Sequence, residues 1–395
     1  MTVKYLHVIH SLNPERGGPA EGVKQLATTA VRMSHHVEVV TLDAPGAAWT
    51  RDYDCEVHCL GPGYLNYGYA PRFMPWLRRN LARFDAVVVN GIWQYHSFAT
   101  WRVLRATEIP YYVFTHGMLD PWFKHRYPLK HLKKLLYWPW AEYRVLRDAR
   151  AVLFTSQEEM LLARQSFRRY RAREMVVNYG TPGLPAGNAL AQCEMFLQQF
   201  PQLRGKRLFL FLGRIHPKKG CDLLIEAFAP LLRHDRSLHL VMAGPDQSGM
   251  QAQLAKLADR LGVARSVTWT GMLRGDLKAG AFHAAEAFAL PSHQENFGIA
   301  VAEALSCRVP VLISNKVNIW REICADQAGF AADDTLSGPQ QLLRRWLALS
   351  HEERQQMGHN AARCFTQRFH IDTAAINLLL LIAQQSSKPR PSLAA

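Results

Sequence analysis

The chain has 395 residues, 48% hydrophobic and 20% charged, with 47 Lys/Arg against 32 Asp/Glu and a formal net charge of +15. That length outgrows a single core and predicts two domains of similar size. Its seven cysteines are scattered without a CxxC pair or ligand-spaced histidines, which argues against a zinc site or a disulfide framework and for a reducing cytoplasm.

The opening apolar run is too short for a signal peptide and reads as a first buried strand. Further runs of strand length follow at 37–42, 86–90, 111–115 and 151–155, each trailed by a longer helical pattern, and repeated βα units of this kind mean a parallel sheet. Gly17, Gly18 and Pro19 come after the first run and before a helix expected near Ala20, so a backbone without side-chain bulk lies at the carboxyl end of that strand. Neither GxGxxG nor GxxxxGK[ST] occurs, which removes the usual support for dinucleotide redox chemistry and for P-loop hydrolysis. His116 ends the fourth run and precedes Gly117.

Residues 72–173 carry 19 Lys/Arg against 7 Asp/Glu, a concentration that points to an acidic partner. Within them WFKHRYPLKHLKKLLYWPWAEYRVLR (122–147) mixes cations with Trp, Tyr and Leu, the composition of a segment on an anionic bilayer surface; the plainer alternative is a solvated basic helix with its aromatics turned inward. No apolar stretch approaches the roughly 18 residues of a membrane span.

The loop TPGLPAG (181–187) breaks the pattern, and a second βα series begins, with runs at 207–212, 239–243, 266–270, 287–290 and 311–314. The predicted organisation is a first domain over 1–185, a second over 206–370, and a C-terminal helix at 371–385 that packs back on the first domain. A linker-like stretch, SSKPRPSLAA, follows. The gap between the domains is the natural place for an active site.

In the second series a strand runs into GRIHPKKG (213–220), which sets Gly213, Arg214 and Lys219 at its carboxyl end, where ligands of open α/β sheets bind. An Arg fork and a Lys point charge can together neutralise a diphosphate. Farther on, PSHQENFGIAVAEAL (291–305) places Glu295 and Glu303 on either side of a glycine-bearing helix start. With Asn296, Phe297 and Gly298 delivered into the first turn, backbone N–H groups point outward to a phosphate or sugar oxygen.

GRIHPKKG, LVMAGPDQSG (240–249), VTWTGML (267–273) and PSHQENFGIAVAEAL, in that order, resemble successive elements of retaining GT-B glycosyltransferases of glycosyltransferase family 4. HSLNPERGGPAEGV (10–23) and YYVFTHGMLDPW (111–122) resemble the branch of that family which assembles bacterial polysaccharides. The resemblance implies an α/β GT-B fold, two Rossmann-like domains facing each other across a cleft, with acceptor bound by the first and nucleotide sugar by the second. It implies that Glu303 holds the ribose hydroxyls, that Glu295 and the N–H groups of Asn296, Phe297, Gly298 and Ile299 face donor sugar and phosphate, that Arg214 and Lys219 bind the diphosphate beside Gly213 and Gly271, and that His116 touches the transferred sugar. Two positions depart from the pattern: Arg308 stands where relatives commonly have glycine, and Asn90 where they often have histidine.

The expectation is a hexosyltransferase that needs no metal or other cofactor and moves a hexose with retention from a nucleotide diphosphate sugar to a lipid-linked or oligosaccharide acceptor in exopolysaccharide or lipopolysaccharide synthesis. It would work in the cytoplasm, peripheral on the inner face of the plasma membrane. The nearer alternative is a GT-B nucleotide-sugar epimerase or sugar phosphorylase. The distant one, a basic nucleic-acid-binding protein, rests on charge alone and finds no recognition helix, RNP-like strand or zinc module in the sequence.

Overall fold

The computed structural model describes residues 2–185 and 187–386; most of the linker-like stretch, 387–395, lies outside them. The chain divides into two compact units, one running to Gly180 and taking back the chain from Ile371, the other being Thr181–His370.

The first unit is a seven-stranded sheet of β1 (Lys4–Ile9), β2 (His36–Thr41), β3 (Glu56–Cys59), β4 (Ala86–Asn90), β5 (Tyr111–Phe114), β6 (Ala151–Phe154) and β7 (Glu174–Val176), in the order β3-β2-β1-β4-β5-β6-β7. All its pairings are parallel. A parallel sheet is covered on both faces, so its inner strands must be apolar on both sides; β4, AVVVN, is buried along its whole length. Over it lies the helix Gly18–Arg32, whose buried Ala20, Val23, Leu26, Ala27 and Ala30 recur at helical spacing. Arg32 pairs with Asp372 of the helix Ile371–Ser386, which packs against the helix Gly18–Arg32.

The second unit repeats the plan with β8 (Arg207–Leu212), β9 (Leu238–Ala243), β10 (Val267–Gly271), β11 (Ala285–Leu290), β12 (Val311–Ser314) and β13 (Gly329–Ala332), in the order β10-β9-β8-β11-β12-β13 and again all parallel. The helix Ala189–Gln199, which precedes β8, packs on the helix Gly275–Ala284. The contact is close because Gly280 has no side chain: a Cβ there would lie 2.0 Å from the Gln192 carbonyl oxygen.

Three strands have no clear signal in the sequence: β3, β7 and β13. Each closes a sheet edge, where one side needs no partner and short or mixed residues such as EVHC, EMV and GFAA suffice. The two central strands matter most for function. β1 lies between β2 and β4, and β8 between β9 and β11, so the chain reverses its direction of winding at each and leaves a crevice at the carboxyl ends.

Candidate functional site

In the second unit the crevice is lined by the loops after β8 and β11. They are tied to each other by backbone: the Ser292 hydroxyl donates to the Lys218 carbonyl at 2.9 Å and the His293 N–H to the same oxygen at 2.8 Å. The turn at Gly220 makes this approach possible. Its φ is 65°, and a Cβ there would fall 2.1 Å from the Pro291 carbonyl oxygen, so only glycine fits.

This juxtaposition brings Lys219, whose side chain is 15% exposed, into an ion pair with Glu295. Glu295 is held on both sides of its peptide, its N–H donating to the Lys316 carbonyl and its own carbonyl accepting from the Asn318 N–H, each at 2.9 Å. Arg214 stands at the exposed rim of the loop, its Nη1 3.4 Å from Gln247 Oε1. Gly213 donates its N–H to the Ala243 carbonyl, and Gly271 accepts from the Gly244 N–H at 2.8 Å, which places both at the carboxyl rim of the sheet, on the two strands that flank β9.

The helix after β11 is Ile299–Ser306, with Gly298 at its N-cap in the left-handed region and no side chain capping its first turn. Asn296 and Phe297 therefore lie in the loop before the helix and not in its first turn. The Phe297 ring is buried and packs at 5.7 Å on Phe369, so only its backbone is available to a ligand. An uncapped helix start with a glycine before it carries a partial positive charge and suits an anion.

Glu303 sits one turn into this helix and is buried to 7% exposure. Burial raises its carboxyl above the usual range, and Lys278, bonded to it at 2.6 Å, acts against that shift. Lys278 escaped the sequence reading. The available signal was a cation in the helix directly after VTWTGML, Gly275–Ala284. The site thus contains two carboxylates, each with its own lysine, beside a helix start.

The first unit forms a separate polar group at the ends of β1, β4 and β5. Asn90 is buried; its Nδ2 lies 3.1 Å from His7 Nδ1 and donates to the carbonyls of Val88 and Val8. Its Oδ1 is 3.3 Å from His116 Nε2, which makes that nitrogen the donor, because an amide oxygen only accepts. The Asn90 amide is thus engaged at the ends of three neighbouring strands within the first unit. His116 has φ 49°, stacks on Phe114 at 5.5 Å and meets the Tyr179 ring at 5.6 Å. Burial pushes its pKa down to about 4, and those of His7 and His96 down to about 3, so these imidazoles are neutral at pH 7.

At the start of the helix Gly18–Arg32, Gly17 has φ 98° and requires glycine for its conformation, while nothing crowds either it or Gly18. The glycine that close packing demands is Gly22, where a Cβ would overlap the Tyr179 hydroxyl. Tyr179 in turn donates to the Gly18 carbonyl at 3.2 Å.

The seven cysteines are all free. Among the described residues no helix is long and apolar enough to cross a membrane. The acidic group Glu38, Glu56 and His58 is compensated by cations, since Arg83 and Lys4 both pair with Glu38.

The family model for a glycosyl transferase 4-like domain matches residues 17–180, and that for glycosyl transferases group 1 matches residues 196–363. The D-inositol 3-phosphate glycosyltransferase of Gordonia bronchialis is 32% identical over 187 residues, covering 44% of this chain and 39% of the relative. That of Segniliparus rotundus is 31% identical over 224 residues, covering 53% and 47%. Each match thus spans less than half of the relative's length. Among solved structures, Anabaena HepE in complex with UDP superposes with a TM-score of 0.75 at 18% identity, covering 96% of this chain and all of that one. Sucrose-phosphate synthase from Thermosynechococcus elongatus gives 0.71, also at 18% identity, covering 96% and 98%. At such identity these two likenesses establish the GT-B fold.

Proposed function

From the premise that this chain belongs to the glycosyltransferases, with a glycosyl transferase 4-like domain followed by a group 1 domain, we propose that it transfers a hexose from a nucleotide diphosphate sugar to a lipid-linked or oligosaccharide acceptor with retention of anomeric configuration. The observation that carries this reading is the pair of lysine–carboxylate contacts, Lys219 with Glu295 and Lys278 with Glu303, beside the uncapped start of the helix Ile299–Ser306. An incoming pyrophosphate takes Lys219 as counter-charge, with Arg214 closing from the rim, and lies against the helix N–H groups of Gly298 and Ile299. Glu303 then accepts from the ribose hydroxyls, and Glu295, freed from its lysine, faces the sugar.

Catalysis follows from charge. As the glycosidic bond breaks, negative charge gathers on the departing phosphate, where Lys219, Arg214 and the helix dipole stabilise it more than they stabilise the ground state. The phosphate oxygen itself takes the acceptor proton on the same face, so neither a general base nor a metal is required. His116, neutral with its Nε2–H on Asn90 Oδ1, is left with Nδ1 to accept from a sugar hydroxyl.

The setting is polysaccharide or lipopolysaccharide assembly at an anionic membrane surface. A second reading has a phosphorylated polyol as acceptor, favoured by the names of the matched relatives. A thermal-shift screen against UDP- and GDP-sugars, followed by product analysis with each acceptor class in the presence of EDTA, tests the proposal. Stabilisation by a nucleotide sugar and a retained anomer are expected. Release of an epimer or a sugar phosphate without any acceptor would assign the chain to the epimerases or phosphorylases instead.

A further inference from the structure

The helix Pro128–Tyr137 turns its leucines outward. None of its residues is buried, and Leu129, Leu132 and Leu136 are 83%, 57% and 73% exposed, on one stripe at i, i+3 and i+7. Of its three lysines, Lys130 and Lys133 are exposed and Lys134 is partly buried. Lys130 and Lys134 line a pocket together with Lys124, His131 and Phe167, and Lys134 lies half-buried with Nζ 4.5 Å from the centre of the Trp93 ring. A helix whose outer face meets only water would not carry three bare leucines in one stripe on it.

The pocket beneath the helix has an unfilled donor. Ser166 lines it at 6% exposure, and its hydroxyl oxygen is buried without a hydrogen-bond partner. The one carboxylate in the lining, Asp120, accepts from the Trp122 N–H at 2.8 Å. Phe167 also borders a second concavity, where Glu174 is paired with Arg164 and Arg168, Arg169 and Arg171 leave the lining net basic. Residues 121–136 and 164–173 hold five Lys/Arg each and no Asp/Glu.

The charge selects the occupant of this face. A second copy of the chain would bring like charge against like, and a nucleic acid gives the bare leucines nothing to cover them. An anionic phospholipid bilayer satisfies both, with acyl chains for the leucines and phosphates for the cations. We infer that the helix Pro128–Tyr137 is the bilayer-facing element of this protein, with Leu129, Leu132 and Leu136 below the headgroups and one lipid phosphate seated in the pocket by Lys124, Lys130 and the Ser166 hydroxyl. This deepens the membrane setting of the proposed function, and it is independent of the donor site, which lies in the other unit.

The test is flotation of the full chain with vesicles of phosphatidylcholine alone or with added phosphatidylglycerol, at about 0.15 M salt so that surface charge is screened as in a cell. The wild type floats with the anionic vesicles, and inorganic phosphate does not displace it. The variant Leu129→Gln/Leu132→Gln/Leu136→Gln loses roughly tenfold or more of its partitioning, and Lys124→Gln/Lys130→Gln loses a comparable share. Both keep the thermal shift produced by nucleotide sugars, which separates failure of this inference from failure of the donor site. Equal flotation of the leucine variant and the wild type would overturn it. So would a concentration-dependent dimer that the leucine substitutions abolish, or displacement of the protein from vesicles by duplex DNA or by phosphate alone.

Discussion

Lys219 bonds the carboxylate of Glu295 across 76 residues of sequence, because β8 and β11 are neighbours at the centre of one sheet and their loops share the crevice beyond it. In the proposed function the pair is the resting partner of each group, and the donor pyrophosphate would compete for the lysine. Lys219→Ala should lower kcat by about 10²–10³-fold, the size of effect seen when one preorganised donor to a developing charge is lost, with a smaller change in donor affinity. Since the two groups act as a unit, Lys219→Ala/Glu295→Gln should fall well short of the product of the single effects. Steady-state kinetics of the four proteins checks this, and full multiplicativity would show that the pair is incidental.

Glu303 and Lys278 make the complementary case. Glu303→Ala removes the proposed ribose acceptor and should weaken donor binding, read as a lost thermal shift with nucleotide sugars, while the unliganded protein stays folded. Lys278→Ala leaves a buried carboxylate without its counter-charge. It should cost about 2 kcal/mol of stability, less than for a fully buried pair because Lys278 is 22% exposed. Denaturant unfolding of both variants separates the binding role from the structural one.

Arg308 occupies a glycine position. The helix Ile299–Ser306 ends with the Arg308 N–H donating to the Leu305 carbonyl and the Val309 N–H to the Ala304 carbonyl, at 3.1 and 3.0 Å, and Arg308 takes φ 61°. This is the Schellman arrangement, whose left-handed residue is usually glycine. Arg308→Gly should relieve the crowding of a side chain there and raise stability by about 1 kcal/mol. A lowered melting temperature would mean that the arginine side chain makes up for its backbone.

The histidine group of the first unit gives a pH dependence with a definite sign. His116 drops from the ordinary 6.5 to about 4 on folding, so between those values the unfolded chain binds more protons and stability falls as pH falls. His7 and His96 act in the same sense. Glu142, raised by burial from 4.5 to about 7, acts in the opposite sense between those values. The check is therefore a difference. Relative to wild type, His116→Gln should gain on the order of 3 kcal/mol on going from pH 6.5 to 4, and parallel stability curves for the two proteins would contradict the assignment.

The inner strands, the two-domain α/β plan and the residue types of the candidate site were legible in the sequence, because a parallel sheet writes its buried strands as unbroken apolar runs and cations and glycines stand at its strand ends. Local order could not say which of those residues meet. Lys219 finds Glu295, and Lys278 finds Glu303, through strand neighbours that are distant in the chain. Likewise Gly22 looks like any helical glycine until Tyr179 is folded over it, and the leucines of the helix Pro128–Tyr137 look like core until packing leaves them outside. Periodicity records that a helix has an apolar face, whereas only the positions of its neighbours decide what that face meets.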